Sequence, residues 1–382
     1  MTLPLNDLKR TYNLHASELE AKAIEVMRSG WWINGQHNKI FCDEFSSYLG
    51  VRHCIGVGNG TDALEIALRA LLGNDAKLEL PQPFRDGATA EVVTVANAGG
   101  YATTAIHLTG CVPVFADIEA DSQLISLESA VACVGTQTVA VIATHLYGGL
   151  VQISRLRSML DSAGYPHVSI LEDCAQAHGL DSGAGMAGSL GNIATFSFYP
   201  TKNLGALGDG GAITTNSDAL AEKVQRLHQY GWIEKYTIDR SYGRNSRLDE
   251  YQAAMLSVLL PQLDQGNQRR VAILDRYEAA LPAGLKLVRS QYGSVGHLAI
   301  LMSQSRDRLL QHFVSLNIST AIHYPILDCD QEGWKVMAHR LGPTGLDISR
   351  RSVSKILTVP CFSTMTQGEI DQVCNALASF ST

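Results

Sequence analysis

The chain has 382 residues, which is long enough for two domains or for one large α/β domain with an appendage. The formal net charge of −7 argues against a protein that coats nucleic acid, because that task requires a basic surface that displaces counterions from phosphates. A small anionic substrate stays compatible with this charge, since a few local arginines suffice to bind it.

Eight cysteines are spread along the chain without a C-x-x-C pair and without a His/Cys cluster at zinc spacing. We therefore expect reduced thiols and no metal site. The first residues lack the apolar segment of a signal peptide, and no apolar run has the length needed to cross a bilayer. The sequence predicts a soluble cytoplasmic protein that binds neither a membrane nor nucleic acid.

Short apolar runs rich in β-branched residues predict the strands of a sheet. They lie at residues 92–97, 112–117, 138–146, 168–173, 194–199 and 211–216. The runs are apolar on both faces, which is typical of strands buried between two layers of helices. Helical patterns alternate with them, at residues 63–72, 153–164 and 218–230. This alternation predicts right-handed βαβ units and a mostly parallel sheet.

The pattern changes after about residue 255, where long amphipathic helices and shorter strand-like pieces follow, with a last helix near 366–380. We therefore expect a large α/β domain over residues 1–255 and a smaller C-terminal α+β domain over residues 256–382. Residues 77–90 are polar and hold two prolines, which predicts a long loop or an insertion ahead of the strand at 92.

Polar residues that follow the strands are candidates for the functional site, because ligands of open α/β sheets bind beyond the carboxyl ends of the strands. The first candidate segment is 56–71, in which Gly60 and Thr61 lead into an amphipathic helix. Backbone amides at a helix N-terminus, together with a hydroxyl group, can bind a phosphate. The alternative is that Thr61 is an ordinary N-cap residue.

The second candidate is Asp173, which ends a strand-like run and is followed by Gln176. A buried carboxylate at a strand end needs a cationic or hydrogen-bonding partner. The protonated ring nitrogen of pyridoxal phosphate is one such partner, since the electron-withdrawing capacity of that ring depends on an aspartate salt bridge. The alternative is that Asp173 caps the turn that follows the strand.

The third candidate is the stretch FSFYPTKNLGALGDGG at 196–211, which contains Ser197 and Lys202. A phosphate-binding P-loop has glycines before its lysine, whereas here they come after it, so the order excludes a P-loop. Lys202 can instead form a covalent bond to a carbonyl, because burial lowers the pKa of a lysine, and Ser197 can hold a phosphate. For Lys202 alone, an isolated surface lysine is the alternative; the three candidates together argue against it.

These candidates belong to a series of motifs that resembles the DegT/StrS family of pyridoxal-phosphate sugar aminotransferases over the whole chain. The matching motifs are GWWINGQHNKIFCDEFSSYLG at 30–50, GNGTDALEIALRAL at 58–71, GCVPVFADI at 110–118, ATHLYGGL at 143–150, EDCAQAHG at 172–179, SFYPTKNLGALGDGGAITTN at 197–216, GRNSRLDEYQAAML at 243–256 and IHYP at 322–325. The resemblance implies a fold-type I transferase, with a mostly parallel seven-stranded sheet between helices in the large domain.

The resemblance also implies the cofactor and the reaction. Lys202 should form a Schiff base with pyridoxal 5'-phosphate, Asp173 should pair with the pyridinium nitrogen, and Gln176 should contact the ring hydroxyl. The enzyme should move an amino group from an amino acid, by resemblance glutamate, to a keto-sugar. Nucleotide-linked keto-hexoses are the usual substrates of the family, in the biosynthesis of amino sugars and of surface polysaccharides such as lipopolysaccharide.

For the cofactor phosphate, the resemblance implies contacts from Gly60, Thr61 and Ser197, and from Asn245 of a neighbouring subunit. Such shared sites imply a homodimer whose interface is crossed by residues 232–250. Both the regiochemistry of amination and the identity of the sugar are left open by the sequence.

The chain departs from the family pattern beside the cofactor ring. The family places an aromatic residue that stacks on the ring where this chain has Gly99, and Tyr101 follows two residues later. Either Tyr101 takes over the stacking or another residue covers the ring. His323 and Tyr324 match a motif that approaches the substrate side, and a structural role in the small domain is the alternative for both. The long 77–90 segment is the second departure.

Three other activities are alternatives to an aminotransferase. A sugar dehydratase of the same fold typically has histidine in place of the lysine, so Lys202 argues against it. A cofactor-binding regulator without turnover is a further alternative, and the complete set of Lys202, Asp173 and Gln176 favours catalysis. A nicotinamide-dependent oxidoreductase needs a dinucleotide-binding glycine pattern, which residues 56–61 lack.

Overall fold

The computed structural model describes residues 2–72 and 89–381. The predicted loop at 77–90 lies, apart from its last two residues, outside these ranges. Within them, no helix combines the length and the apolar character that a membrane span requires.

The helices are α1 (Leu8–Ser29), α2 (Gln36–Leu49), α3 (Gly60–Leu72), α4 (Tyr101–Leu108), α5 (Leu127–Cys133), α6 (Ile153–Ser162), α7 (Asp218–Leu227), α8 (Glu250–Leu259), α9 (Leu263–Ala279), α10 (Arg306–Ser315), α11 (Asp347–Val353) and α12 (Gln367–Ala378). The strands are β1 (His53–Val57), β2 (Glu91–Val95), β3 (Val112–Ala116), β4 (Thr138–Thr144), β5 (Ser169–Asp173), β6 (Ile193–Ser197), β7 (Gly211–Thr215), β8 (Trp232–Glu234), β9 (Thr237–Ile238), β10 (Leu285–Leu287), β11 (Ala299–Ser303), β12 (Arg340–Leu341) and β13 (Ile356–Val359).

The large sheet has the strand order β1-β7-β6-β5-β4-β2-β3-β12 in the described part of the chain. All neighbouring pairs from β6 to β12 are parallel, whereas β7 runs antiparallel to both β1 and β6. The strands and helices predicted from the apolar patterns are confirmed, as is the α/β fold class. Parallel pairing brings the carboxyl ends of β4, β5 and β6 to one edge.

Two strands of this sheet do not follow from the apolar patterns. Strand β1 lies at the edge of the sheet, and its first two residues are only partly buried. Strand β12 makes eight strands where seven were expected. Its two residues pair with β3, and the Arg340 guanidinium donates two hydrogen bonds of 2.6 Å to the Glu91 carboxylate. A strand held by a distant ion pair leaves no periodic signal in the sequence.

The large sheet is buried on both faces, as its strands predicted. On one face Val93 packs in a cluster with Leu156 of α6, and on the other face Val92 packs in a cluster with Ile66 of α3. Alternate residues of one strand thus face opposite layers of helices, which explains why the strands are apolar throughout rather than alternating.

A second sheet has the order β10-β11-β13 and is antiparallel. Its core includes Leu301 of β11, Phe313 of α10 and Val373 of α12, and Leu3 from the start of the chain packs into the same cluster. The domain boundary at residue 255 stays a prediction; helix α8 runs across that point.

An aromatic cluster supports the end of strand β6, which leads to Lys202. Phe41 and Phe45 of α2 pack against Phe196 and Phe198, with ring centroids 4.9 Å apart for Phe45 and Phe196 and 5.3 Å apart for Phe41 and Phe198. All four side chains are fully buried. The edge-to-face geometry of these pairs fixes the backbone on both sides of Ser197.

Replacement of Phe45 by alanine should lower the free energy of unfolding by about 3–5 kcal/mol, because it leaves a cavity in this cluster. Urea unfolding of the cofactor-free protein, followed by circular dichroism, measures the change. Val314→Ala is the control, since that side chain is 52% exposed on α10, and it should change the stability by less than about 0.5 kcal/mol. Equal losses in the two variants would contradict the role given to the cluster.

Candidate active site

A cavity of about 510 Å³ lies at the carboxyl ends of strands β4, β5 and β6. It brings together every site residue predicted from the sequence except Asn245, namely Gly60, Thr61, Tyr101, Asp173, Gln176, Ser197, Lys202, His323 and Tyr324. The strands, the start of α3 and the region after residue 297 all contribute to its wall. The position agrees with the rule for ligand sites in open α/β sheets.

One end of the cavity is formed by the start of α3. The side chain of Asn59 caps this helix, since its Oδ1 accepts a hydrogen bond of 2.8 Å from the Asp62 amide. The alternative role of Thr61 as N-cap is therefore wrong. A Cβ atom at Gly60 would lie 2.6 Å from Cβ of Ser197, so only glycine allows the helix to approach β6 this closely. Helix amides and the hydroxyl-bearing residues Thr61 and Ser197 thus meet at one end.

Asp173 lies at the end of β5 and is buried. Its Oδ1 accepts a hydrogen bond of 3.1 Å from the Ala175 amide, and its Oδ2 accepts one of 3.3 Å from the Thr144 hydroxyl. Asp173 therefore caps the following turn, as the alternative proposed, and also lines the cavity. Burial raises the pKa of Asp173, and the nearby amide and Lys202 oppose this shift in part. A cationic ligand atom here would stabilise the carboxylate.

A buried histidine and glutamate, which were not among the residues predicted from the sequence, support the backbone of Asp173. His145 Nε2 lies 3.1 Å from the Glu172 carboxylate, and the His145 amide donates a hydrogen bond of 3.1 Å to the Asp173 carbonyl. The Val151 amide donates to His145 Nδ1, so the ring proton is on Nε2. Cys174 lies close to this pair, but the hydrogen bonds already occupy both ring nitrogens.

The Glu172 carboxylate also accepts hydrogen bonds from the amides of Gly188, Leu190 and Gly191. Burial alone would raise the pKa of Glu172, but His145 and the amides of Gly188 and Gly191 hold it below its ordinary value. The available signal in the sequence was the acidic residue directly before Asp173, inside a strand that is otherwise apolar.

Lys202 lies in the turn after β6, where its amide donates a hydrogen bond of 2.8 Å to the Tyr199 carbonyl. Its side chain lines the cavity, so it is not an isolated surface lysine. Burial lowers the pKa of Lys202 to about 8, and the Asp173 carboxylate opposes part of the shift. A sizeable fraction of the amine is therefore neutral near pH 7 to 8, which is the form that attacks a carbonyl.

Three histidines surround Lys202. Burial lowers the pKa of His178 to about 3, and it also lowers the pKa values of His297 and His323; the charge of Lys202 acts in the same direction. All three rings are neutral at pH 7 and add no positive charge beside the amine. His178 and His297 were not predicted, although His178 belongs to the motif EDCAQAHG.

Gln176 connects two walls of the cavity. Its Oε1 accepts a hydrogen bond of 2.6 Å from the Tyr147 amide, and its Nε2 donates one of 3.1 Å to the Tyr324 hydroxyl. The Tyr147 hydroxyl in turn donates to the His323 carbonyl over 2.5 Å, and His323 Nδ1 lies 2.8 Å from the Thr358 hydroxyl. His323 and Tyr324 thus line the cavity and also join the two sheets through hydrogen bonds.

Asn245 lies outside the cavity of its own chain and is exposed. The neighbouring Ser246 accepts a hydrogen bond of 2.9 Å from the Gly58 amide and donates one of 2.6 Å to Asp62 at the start of α3. The segment is therefore fixed against the same helix whose first turn borders the cavity, while the Asn245 side chain is accessible to another molecule.

Comparison with known proteins identifies the same family. A model of the DegT/DnrJ/EryC1/StrS aminotransferase family matches residues 14–378. The erythromycin biosynthesis sensory transduction protein EryC1 of Saccharopolyspora erythraea is 36% identical over 85% of each chain. The dTDP-3-amino-3,6-dideoxy-alpha-D-galactopyranose transaminase of Aneurinibacillus thermoaerophilus is 35% identical over 98% of each chain.

Solved structures agree with this result. The crystal structure of S. venezuelae DesV in complex with a ketimine intermediate is 31% identical, covers 99% of this chain and 98% of its own, and superimposes with a TM-score of 0.89. Aminotransferases of this family use pyridoxal 5'-phosphate, and a further solved member of the fold holds the cofactor in its PMP form. The match extends over both sheets, so the whole fold is shared.

In the cofactor-free protein, Lys202 should react with added pyridoxal phosphate faster as the pH rises through about 8, because the neutral amine is the nucleophile. The growth of the imine absorbance band measures the rate. Asp173→Asn should move the midpoint to lower pH, since the carboxylate raises the pKa of Lys202. A wild-type midpoint near the ordinary lysine value of 10.5 would contradict the effect of burial.

Proposed function

Because the chain belongs to the DegT/DnrJ/EryC1/StrS aminotransferase family, we propose that it transfers an amino group from glutamate to a nucleotide-linked keto-hexose. The product is an amino sugar for a surface polysaccharide such as lipopolysaccharide. The observation that carries the proposal is one cavity that joins Lys202, Asp173 and the start of α3. Relatives named as transaminases of dTDP- and UDP-linked sugars support this class of substrate.

The described residues fit pyridoxal 5'-phosphate. The phosphate belongs at the N-terminus of α3, where helix amides and the residues Thr61 and Ser197 offer donors and Gly60 leaves room. The ring nitrogen belongs at Asp173, whose buried carboxylate is stabilised by a cationic N–H group. Gln176 offers its second Nε2 proton to the ring hydroxyl. When bound, the cofactor supplies an aldehyde carbon that accepts the amino group and a ring that withdraws electrons.

Lys202 is the catalytic base and acid in this proposal. Once its amine is free, Nζ takes the proton from the α-carbon of the amino donor, and in the second half of the reaction it returns a proton to the sugar carbon. Burial lowers the pKa of Lys202 to about 8 in the cofactor-free cavity, so the amine can hold a proton at neutral pH and can release it more readily than an exposed lysine. The protonation of the Lys202 amine depends on its burial and on the Asp173 carboxylate. The neutral rings of His178, His297 and His323 add no positive charge beside it.

We also propose a homodimer with shared active sites. Asn245 is exposed and lies outside the cavity of its own chain, as expected for a residue that binds the cofactor phosphate in a second copy. Large apolar side chains are exposed in the same region. Tyr236, nine residues before Asn245, is 78% exposed, and Trp31 is 65% exposed beside Trp32, whose carbonyl accepts a hydrogen bond from the Glu250 amide. A second copy of the chain is the partner that would cover them.

We also propose that the protein acts in the cytoplasm. All eight cysteines are free thiols, which is compatible with a reducing compartment.

The purified protein should be yellow and should lose this colour when glutamate is added, as the cofactor takes up the amino group. Lys202→Ala should abolish the bleaching and lower turnover by at least about 10²-fold, because proton transfer needs the amine. Absorbance spectra and mass detection of the aminated product, from a screen of nucleotide-linked and free keto-sugars, measure both effects. Lys223→Ala, on α7, is the control and should behave as the wild type.

Bleaching by glutamate that persists in Lys202→Ala would contradict the role of Lys202. Release of product without consumption of an amino donor would indicate a dehydratase. If none of the amino acids tested bleaches the protein and no keto-sugar is aminated, the protein would be a regulator.

Shared sites predict that two defective variants complement each other. A mixed dimer of Lys202→Ala and Asn245→Ala has one site with both residues intact, so a mixture after subunit exchange should regain roughly a quarter of wild-type activity. Activity assays of the mixture and of each variant alone measure the gain. Activity equal to the mean of the two separate variants would show that Asn245 acts within its own chain or not at all.

A further inference from the structure

Gly99 directly follows Ala98, which lines the cavity, and has no side chain of its own. Gly99 has a φ of +79°, and a Cβ atom built on it would lie 2.7 Å from Cε1, 2.8 Å from Cδ1 and 2.9 Å from Cζ of Tyr324. Three ring atoms at nearly equal distances mean that the face of the Tyr324 ring covers this position. The tyrosine therefore fills the space into which a side chain at 99 would point.

Tyr324 is held in this place from both ends. Its hydroxyl accepts a hydrogen bond of 3.1 Å from Gln176 Nε2, and the carbonyl of the preceding residue, His323, accepts one of 2.5 Å from the Tyr147 hydroxyl. Gln176 itself is fixed by the Tyr147 amide at 2.6 Å. The Tyr324 ring is thus positioned by Tyr147, which follows β4, and by Gln176, which lies three residues after Asp173.

The segment after Tyr324 also docks onto the turn that contains Gly99. A Cβ atom at Gly100 would lie 2.8 Å from Cη2 of Trp334, so this second glycine admits a second aromatic ring. The Thr103 hydroxyl donates a hydrogen bond of 2.5 Å to Asp328 Oδ2. The contacts along residues 99–103 show that two adjacent glycines accommodate aromatic rings from a distant part of the chain.

Tyr101 is the other aromatic residue at this wall, and its position differs. Half of its surface is exposed, and its ring forms an edge-to-face pair with the Tyr324 ring, with centroids 6.2 Å apart and planes at 77°. Both rings line the cavity, but Tyr101 is exposed, whereas Tyr324 is only partly exposed and its hydroxyl is fixed by Gln176.

We propose that Tyr324 is the aromatic side chain that covers the pyridine ring of the cofactor, and that Gly99 is the residue that admits it. The inference rests on the proposed function, since it takes pyridoxal phosphate as the ligand of this cavity. An aromatic face held rigidly against a bound aromatic ring stabilises it through stacking and through the exclusion of water. Tyr324 is then a positioning residue for the cofactor, supplied by the C-terminal part of the chain.

Cofactor affinity without substrate tests this inference. Titration of cofactor-free protein with pyridoxal phosphate, followed by quenching of protein fluorescence and by circular dichroism of the cofactor band, gives the dissociation constant and the rigidity of the bound ring. Tyr324→Ala and Tyr324→Leu should each raise the constant by about tenfold and weaken the dichroism, because both remove the aromatic face. Tyr324→Phe keeps the face and should stay within about threefold of the wild type.

Tyr101→Ala tests the competing assignment and should also stay within about threefold, since its half-exposed ring is not the one that covers the cofactor. Gly99→Ala should weaken binding severalfold in the wild type, because its methyl group displaces Tyr324. The same change in the Tyr324→Ala background should alter affinity by less than about twofold. Thermal unfolding of each cofactor-free variant verifies that the fold is retained. Tyr324→Leu keeps most of the side-chain volume, so a loss of affinity in this variant reflects the missing aromatic face and not a collapse of the cavity wall.

Wild-type affinity in both Tyr324→Ala and Tyr324→Leu, or a tenfold loss in Tyr101→Ala instead, would overturn the role of Tyr324. Equal effects of Gly99→Ala in the two backgrounds would overturn the role of Gly99. A wild-type protein that takes up no pyridoxal phosphate would overturn the proposed function as well, so the two failures are distinguishable.

Discussion

The site depends on the burial of a carboxylate and an amine in one cavity. Burial disfavours the charged form of both groups, which raises the pKa of Asp173 and lowers that of Lys202 to about 8, and each charge offsets part of the other's shift. The amine is left with access to both of its protonation states near neutral pH. A solvent-exposed pair would have ordinary pKa values and would lack this balance.

The sheet creates this arrangement by parallel pairing. Thr144, Asp173 and Thr195 lie beside one another in the register of β4, β5 and β6, so these strands end at one edge. The close approach of Gly60 to Ser197 then brings the start of α3 to the same edge. The aromatic cluster beneath β6 and the hydrogen bonds around Glu172 hold the strand ends in place.

Much of the fold and the centre of the site could be predicted from the sequence, because both rest on local patterns. Doubly buried strands are continuous apolar runs, and residues at or just after their carboxyl ends, such as Asp173 and Lys202, line the cavity. Contacts between distant segments leave no such pattern. Strand β12 depends on the pairing of Arg340 with Glu91, and the fit of Tyr324 over Gly99 joins positions far apart in the chain.

The most direct test of the account is to reduce the cofactor-loaded protein with borohydride and to map the modified peptide by mass spectrometry. Reduction makes a Schiff base between the cofactor and a lysine permanent. The account predicts a single phosphopyridoxyl group on the peptide that contains Lys202. A label on another lysine, or no label on a protein that holds the cofactor, would contradict the assignment of Lys202 as the residue around which this site is built.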